Sequence, residues 1–312
     1  MASVGSKILA SDYNSVQTTI ATVMGTYYGQ TVNSGQVTAS SSRITAAQWQ
    51  ALYTDILTAY NHQNPVNGSL TYPSTSSKVQ AADFLAYQTM ANNCLSNYTN
   101  FLSGYSASAG LNSISIPGGW GVNTAGQSTA RHFVNVTFAS TTVAQYFFNT
   151  GGQIRFTASL ASSGSAKDNS WASMLNHMGT IAFGVNTTST LSGATTPGTG
   201  SSIGYNQLTG SFQLIYSKGT ENSTYTPNQY DIYASISGST ISFRIEFEDL
   251  STTSNNTNYG PGYGVFGIDE SVVGTTTSTQ TLYYASGAGQ VSASSYLPST
   301  TNNTYDFSSS NP

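Results

Sequence analysis

The spacing of apolar residues changes period near residue 105. Before that point it is helical. Ser11 or Asp12 can cap a segment in which Tyr13, Val16, Ile20 and Val23 recur at three- and four-residue intervals, with Gly25 placed to stop it. Thr45 opens a second helix carrying Trp49, Leu52, Ile56 and Tyr60 on one side, with Pro65 past its end. A third, beginning at Lys78, carries Phe84, Tyr87, Ala91, Leu95 and Tyr98. All three are amphipathic, so they are expected to pack as a helical layer.

A small-residue linker, SGYSASAGLNS, follows, and from Ile114 the period becomes two. The clearest strand is STISFRIEFEDL, where Ile241, Phe243, Ile245 and Phe247 face one way and Ser242, Arg244, Glu246 and Glu248 the other. Its expected hairpin partner is NQYDIYASIS, joined through Gly238-Ser239. FVNVTFAS, QIRFTASL, TIAFGV, SFQLIYSK, YGVFGI and TQTLYYAS read as further short strands. In AQYFFNTGGQIRFTA (144–158) the alternation predicts a strand on each side of Gly151-Gly152, which then forms a hairpin or bulged bend. Between strands, KDNSWASMLNHMG (167–179) reads as one crossover helix with Trp171, Leu175 and Met178 on a face. LSGATTPGTGSS and the terminal SSSNP read as loop and tail. The expected fold is α+β: a helical region over 1–105, then a mainly antiparallel, jelly-roll-like β-sandwich over 106–312 ending in a low-complexity tail.

Composition narrows the function. Charged residues are 6% of the chain, against roughly 25% in an ordinary globular protein. Its surface must therefore be built from Ser, Thr, Asn, Gln, Gly and the hydroxyls of 21 tyrosines. The eight basic residues are scattered singly, which argues against nucleic acid as a partner. One cysteine, Cys94, excludes an intrachain disulfide framework and reads as a small core residue of the third helix. The amino-terminal stretch has no long apolar run, so no signal peptide is expected, and no stretch is long enough for a membrane helix. Synthesis and folding in a reducing cytosol are the expectation.

Candidate chemistry is sparse. His62, His132 and His177 lie far apart without a second ligand at helical spacing, so zinc is not indicated. Neither a Gly-x-Ser-x-Gly elbow nor a phosphate loop occurs. Glu246, Glu248 and Asp249 form the densest acidic set. Two carboxyls on one strand face could serve glycoside hydrolysis or, with Asp231 or Asp269, bind calcium. The ordinary reading is solvent-facing carboxylates paired with Arg244. No catalytic, metal or cofactor residue is assigned. The loops PGGWGVN and NYGPGYGVFG place Trp120, Tyr259 and Tyr263 among glycines, as candidates for an assembly contact or for stacking on a glycan.

In FFNTGGQIRFTAS, SWASMLNHMGTIAFG and GYGVFGIDESVVGTTTSTQTLYYASG the chain resembles virion structural proteins of tailed phages, closest to those of contractile-tailed phages infecting cyanobacteria. GSKILASDYNSVQTTIATVMG, YYGQ and ITAAQWQALYTDILTAYNHQ are similar to the amino-terminal segment of the same group. The resemblance implies a non-enzymatic structural component of a virion, in tail, neck, fibre or head decoration. It implies other virion proteins and further copies of the chain, for example as a trimer, as partners. A glycan-binding module of a fibre is the alternative, with a host-surface glycan as ligand. No residue roles carry over.

Overall fold

The computed structural model describes residues 7–38, 43–64, 68–75, 78–101, 106–121, 128–226, 228–251, 254–256, 267–269, 271–287 and 291–308. The chain divides into two compact units. One comprises Met1–Ser108, Thr142–Gly152 and Tyr283–Leu297, and the other Ala109–Thr141, Gln153–Leu282 and Pro298–Pro312. The helical unit is thus not one run of chain, as a single cut after Tyr105 would have it. Two later segments return to it.

That unit is built on α1 (Ala10–Ala21, extended by a π-helical turn over Thr22–Tyr27), α2 (Ala46–Gln63) and α3 (Ala81–Ser96). The expected stripes meet in one core: Tyr13, Val16, Ile20 and Val23; Trp49, Leu52 and Ile56; Phe84, Tyr87 and Ala91 are all buried. Trp49 sits at its centre, edge-on to Tyr13 at 5.1 Å and to Tyr87 at 5.6 Å. Burial of each such side chain contributes about 2–3 kcal/mol. Cys94 is fully buried here, and burial pushes its thiol up to about 12, so it packs and does not react at neutral pH. Thr45 caps α2 reciprocally: Gln48 N donates to Thr45 Oγ1, and Thr45 N to Gln48 Oε1. Leu9, rather than Ser11 or Asp12, precedes α1; Asp12 is its third residue and accepts from Leu9 N at 3.0 Å.

The stretch before Gly151-Gly152 is a helix, not a strand: α4 spans Thr141–Asn149. Ala144, Phe147 and Phe148 are buried at helical spacing, which a reading by strict alternation misses. The two glycines terminate it. Gly151, at φ +82°, donates to Phe148 O, and Gly152 donates to Phe147 O at 2.9 Å, which is the paired closure of a helix end by a left-handed glycine. A Cβ on Gly151 would lie 2.0 Å from the Phe101 ring.

The second unit is a β-sandwich. Its strands are β1 (Ser106–Ile116), β2 (Thr129–Thr137), β3 (Gln153–Ala161), β4 (Ile181–Phe183), β5 (Thr188–Thr190), β6 (Thr199–Gly200), β7 (Gln213–Gly219), β8 (Gln229–Ser237), β9 (Thr240–Glu248), β10 (Ser254–Asn256), β11 (Gly267–Asp269), β12 (Thr275–Ala285) and β13 (Ser299–Ser308). One sheet has the order β1-β12-β3-β4-β5, the other β13-β2-β9-β8-β7-β6, and β10 pairs with β11. The expected hairpin is β8–β9, in register from Ser237↔Thr240 to Gln229↔Glu248, with Gly238 at φ +59°. Phe243 of β9 meets Phe156 of β3 at 5.0 Å and Phe183 of β4 at 5.3 Å, which ties the two sheets together. The crossover helix α5 (Ala166–His177) forms as expected, with Ser165 accepting from Asp168 N as its cap. Two strands fall where the pattern suggested none: β1 occupies most of the expected linker, and β13 lies just before the expected tail.

Candidate functional site on the six-stranded sheet

The acidic residues of β9 gather a row across the sheet. Glu246 is registered with Arg131 of β2 on one side and Asp231 of β8 on the other, and Ser217 of β7 follows Asp231. Arg244, two residues before Glu246, places Nε 2.9 Å from Glu246 Oε1. Its guanidinium lies over the Tyr233 ring at 4.4 Å and the Phe212 ring at 5.0 Å. The pairing with Arg244 agrees with the sequence pattern, but the solvent exposure does not. Glu246 is 0% exposed, Glu248 1% and Asp231 4%. Alternation separates the two faces of a strand; it does not reveal that the second face is also covered.

Burial sets the electrostatics. Burial, together with the nearby charges of Asp231 and Glu246, raises the carboxyl of Glu248 to about 7. Burial also raises Glu246, opposed by Arg244 and Arg131, and raises Asp231, opposed by hydrogen bonds from Ser217 and Tyr233. Glu246 and Glu248 therefore both favour the protonated form more than they would in water. Among the described residues, Glu246 Oε2, Glu248 Oε1 and Asp231 Oδ1 have no hydrogen-bond donor. The arrangement is a buried proton-binding group. Among the described residues its carboxyls are buried rather than set in an open cleft that could flank a sugar bond. Among the described residues no three His, Cys, Asp or Glu side chains are grouped to hold a metal ion.

A second polar centre sits inside the sandwich. His132 of β2 is fully buried between Ser278 of β12 and Asn303 of β13, at 2.9 Å from each. Asn303 Oδ1 can only accept, so Nε2 carries the proton and Nδ1 accepts from Ser278. Burial lowers the imidazole to about 4, so it is neutral at physiological pH. His62 is buried in the helical unit, and His177 Nδ1 lies 2.9 Å from Glu221, which also pairs with Lys218.

Trp120 is not the exposed loop aromatic expected. It is 0% exposed and packs against Trp171 at 5.3 Å and Phe247 at 6.4 Å. Reciprocal backbone bonds bind its strand to Val272: Gly119 N to Val272 O and Val272 N to Trp120 O, each 2.7 Å. A glycine-rich setting suggested a loop tip, whereas here the glycines allow close backbone approach: a Cβ on Gly118 would lie 1.8 Å from Val273 O. Neither ring face of Trp120 is open to a sugar or a neighbouring subunit. Tyr259 and Tyr263 lie outside the described residues, as do the side chains of Asp269 and the strand expected at YGVFGI up to residue 266.

Two features escaped the sequence reading. Each sheet has one long end strand: among the described residues β1, of 11 residues, is bonded to β12 alone, and β13, of 10 residues, to β2 alone. The alternation Tyr305-Asp306-Phe307 was the available signal for β13. The other feature is a buried pair, Lys167 with Asp249, which no local spacing could reveal across 82 positions. No family model, curated protein or solved structure matches the chain.

Proposed function

We propose that the chain is a non-enzymatic structural component of a tailed-phage virion, joined to further copies of itself and to other virion proteins through its edge strands. The observation that carries this reading is the character of those edges. A long strand with one free row of N–H and C=O groups is a template for pairing, and proteins that stay monomeric blunt it with lysine, proline or short length. None of these devices is present in β1 or β13, although β13 side chains reach two carbonyls of β1, Thr300 Oγ1 donating to Leu111 O and Asn303 Nδ2 to Ser113 O. β1 has no charged residue and no proline, and β13 has one charge, Asp306, which Arg131 engages at 2.8 and 3.0 Å. Most of β13 is exposed. The charge-poor surface supports the same reading, since contacts built from neutral polar groups change little with ionic strength. The resemblance of several phrases to phage structural proteins suggests the setting. The glycan-binding alternative rested on loop aromatics, and burial removes Trp120 from it.

A pair of proline variants tests the edge. Successive residues of a strand direct their N–H groups to opposite sides, so of Thr304→Pro and Tyr305→Pro one removes a bond to β2 and the other alters only the free edge. The first is expected to lower the thermal midpoint. The second should leave it nearly unchanged and reduce the oligomer measured by sedimentation. Undiminished assembly in both variants would rule out β13 as a joining edge.

A further inference from the structure

Lys167, the second residue of α5, reaches Asp249, the first residue after β9. Nζ lies 2.9 Å from Asp249 Oδ2, and both side chains are 0% exposed. Nζ also donates to Ser251 O at 3.4 Å. The surroundings are aromatic. Trp171, one turn along α5 from Lys167, packs on Trp120, and Phe247, two residues before Asp249, meets both rings. The Tyr225 ring centroid is 6.0 Å from Nζ. Gly121, at φ +127°, passes so close that a Cβ there would lie 2.4 Å from Asp249 Oδ2.

Lysine and aspartate are almost never fully buried, because each charge loses its hydration. A desolvated lysine amine is a nucleophile. At 2.9 Å from Asp249 Oδ2, Nζ is in van der Waals reach of the carboxyl carbon and is held there without diffusion.

We infer that Lys167 and Asp249 condense to an intramolecular isopeptide bond, a modification that fastens the start of α5 to the segment following β9. A proton passes from Nζ to Oδ2, and the amine lone pair forms the Nζ–Cγ bond. A second Nζ proton then passes to the departing oxygen, the Cγ–O bond breaks and water leaves. An ammonium and a carboxylate become a secondary amide and one water, so no oxidant or co-reactant is consumed. Both buried charges disappear in the product, and the aromatic walls keep water from reversing the step. The inference is independent of the assembly reading.

Intact-mass spectrometry of the full chain, denatured before injection, tests it. The wild type is expected one water lighter than its sequence, and digestion should yield a branched peptide containing both Lys167 and Asp249. Lys167→Arg keeps the cation but should restore the full sequence mass. Asp249→Asn is the second variant, in case the first does not fold; condensation there would release ammonia and give the same branched product. A folded wild type at full mass, with Lys167 and Asp249 on separate linear peptides, overturns the proposal. So does a water deficit that persists in Lys167→Arg.

Discussion

Asp55 in the helical unit and Glu246 with Glu248 in the sandwich are alike in burial and opposite in how their charge is met. Asp55, on α2, is 0% exposed and accepts from the backbone N–H groups of Asn33 and Ser34, from the Asn33 amide and from the Ser34 hydroxyl at 2.7 Å. Neutral donors from one loop replace its hydration. Glu246 and Glu248 have no such loop. They have Arg244, a distant Arg131, one another and Asp231, so their protons are held more tightly than in water. A buried carboxylate is therefore not in itself a site. Donors make Asp55 a stitch between α2 and the chain before it; their scarcity raises both glutamates above the usual carboxylate range.

The comparison can be broken most forcefully at Asp55. Asp55→Ala strands several buried donors and is expected to cost about 3 kcal/mol or more, read by chemical denaturation. A loss under 1 kcal/mol would mean that the loop carries its own hydrogen bonds. In the sandwich the effects should appear in pH dependence. Glu248 is raised from its ordinary 4.5 to about 7, so its contribution is present below pH 4.5 and is lost as pH rises through 7. His132 is lowered from 6.5 to about 4, so its contribution is present above pH 6.5 and is lost as pH falls through 4. Each amounts to about 3 kcal/mol over its range, and between pH 4.5 and 6.5 the two oppose each other. Glu246 and Asp231 are raised in the same direction as Glu248, so wild-type stability should fall with pH there. Glu248→Gln should make that fall shallower, and His132→Gln should make it steeper; parallel profiles for both variants would show that neither group is coupled to folding. Smallest of all, Asp306→Asn removes an exposed partner of Arg131 and should change stability by less than about 1 kcal/mol.

How much of this the sequence disclosed follows from which forces act locally. The stripes of α1–α3 and the helix α5 were legible because each buries one face against a core, and the hairpin β8–β9 because its apolar residues keep to one face and Gly238 supplies the turn. α4 was misread because Tyr146, Phe147 and Phe148 satisfy either period, and the decision belongs to the Schellman closure at Gly151 and Gly152. β1 and β13 were missed because an edge strand of serine, threonine and asparagine has little apolar alternation to show. At the candidate site Glu246, Glu248 and Arg244 stood out in the sequence as a set sharing one strand face, but their burial depends on a second covered face. Trp120 was assigned to the surface because glycines signal a loop and a close backbone approach alike.

The account stands or falls on assembly, and sedimentation velocity of the full chain over a wide concentration series tests it directly. Concentration-dependent oligomers, with an association constant that changes little between low and high salt, are the predicted result. A monomer at every concentration that also fails to bind purified virion proteins would contradict it.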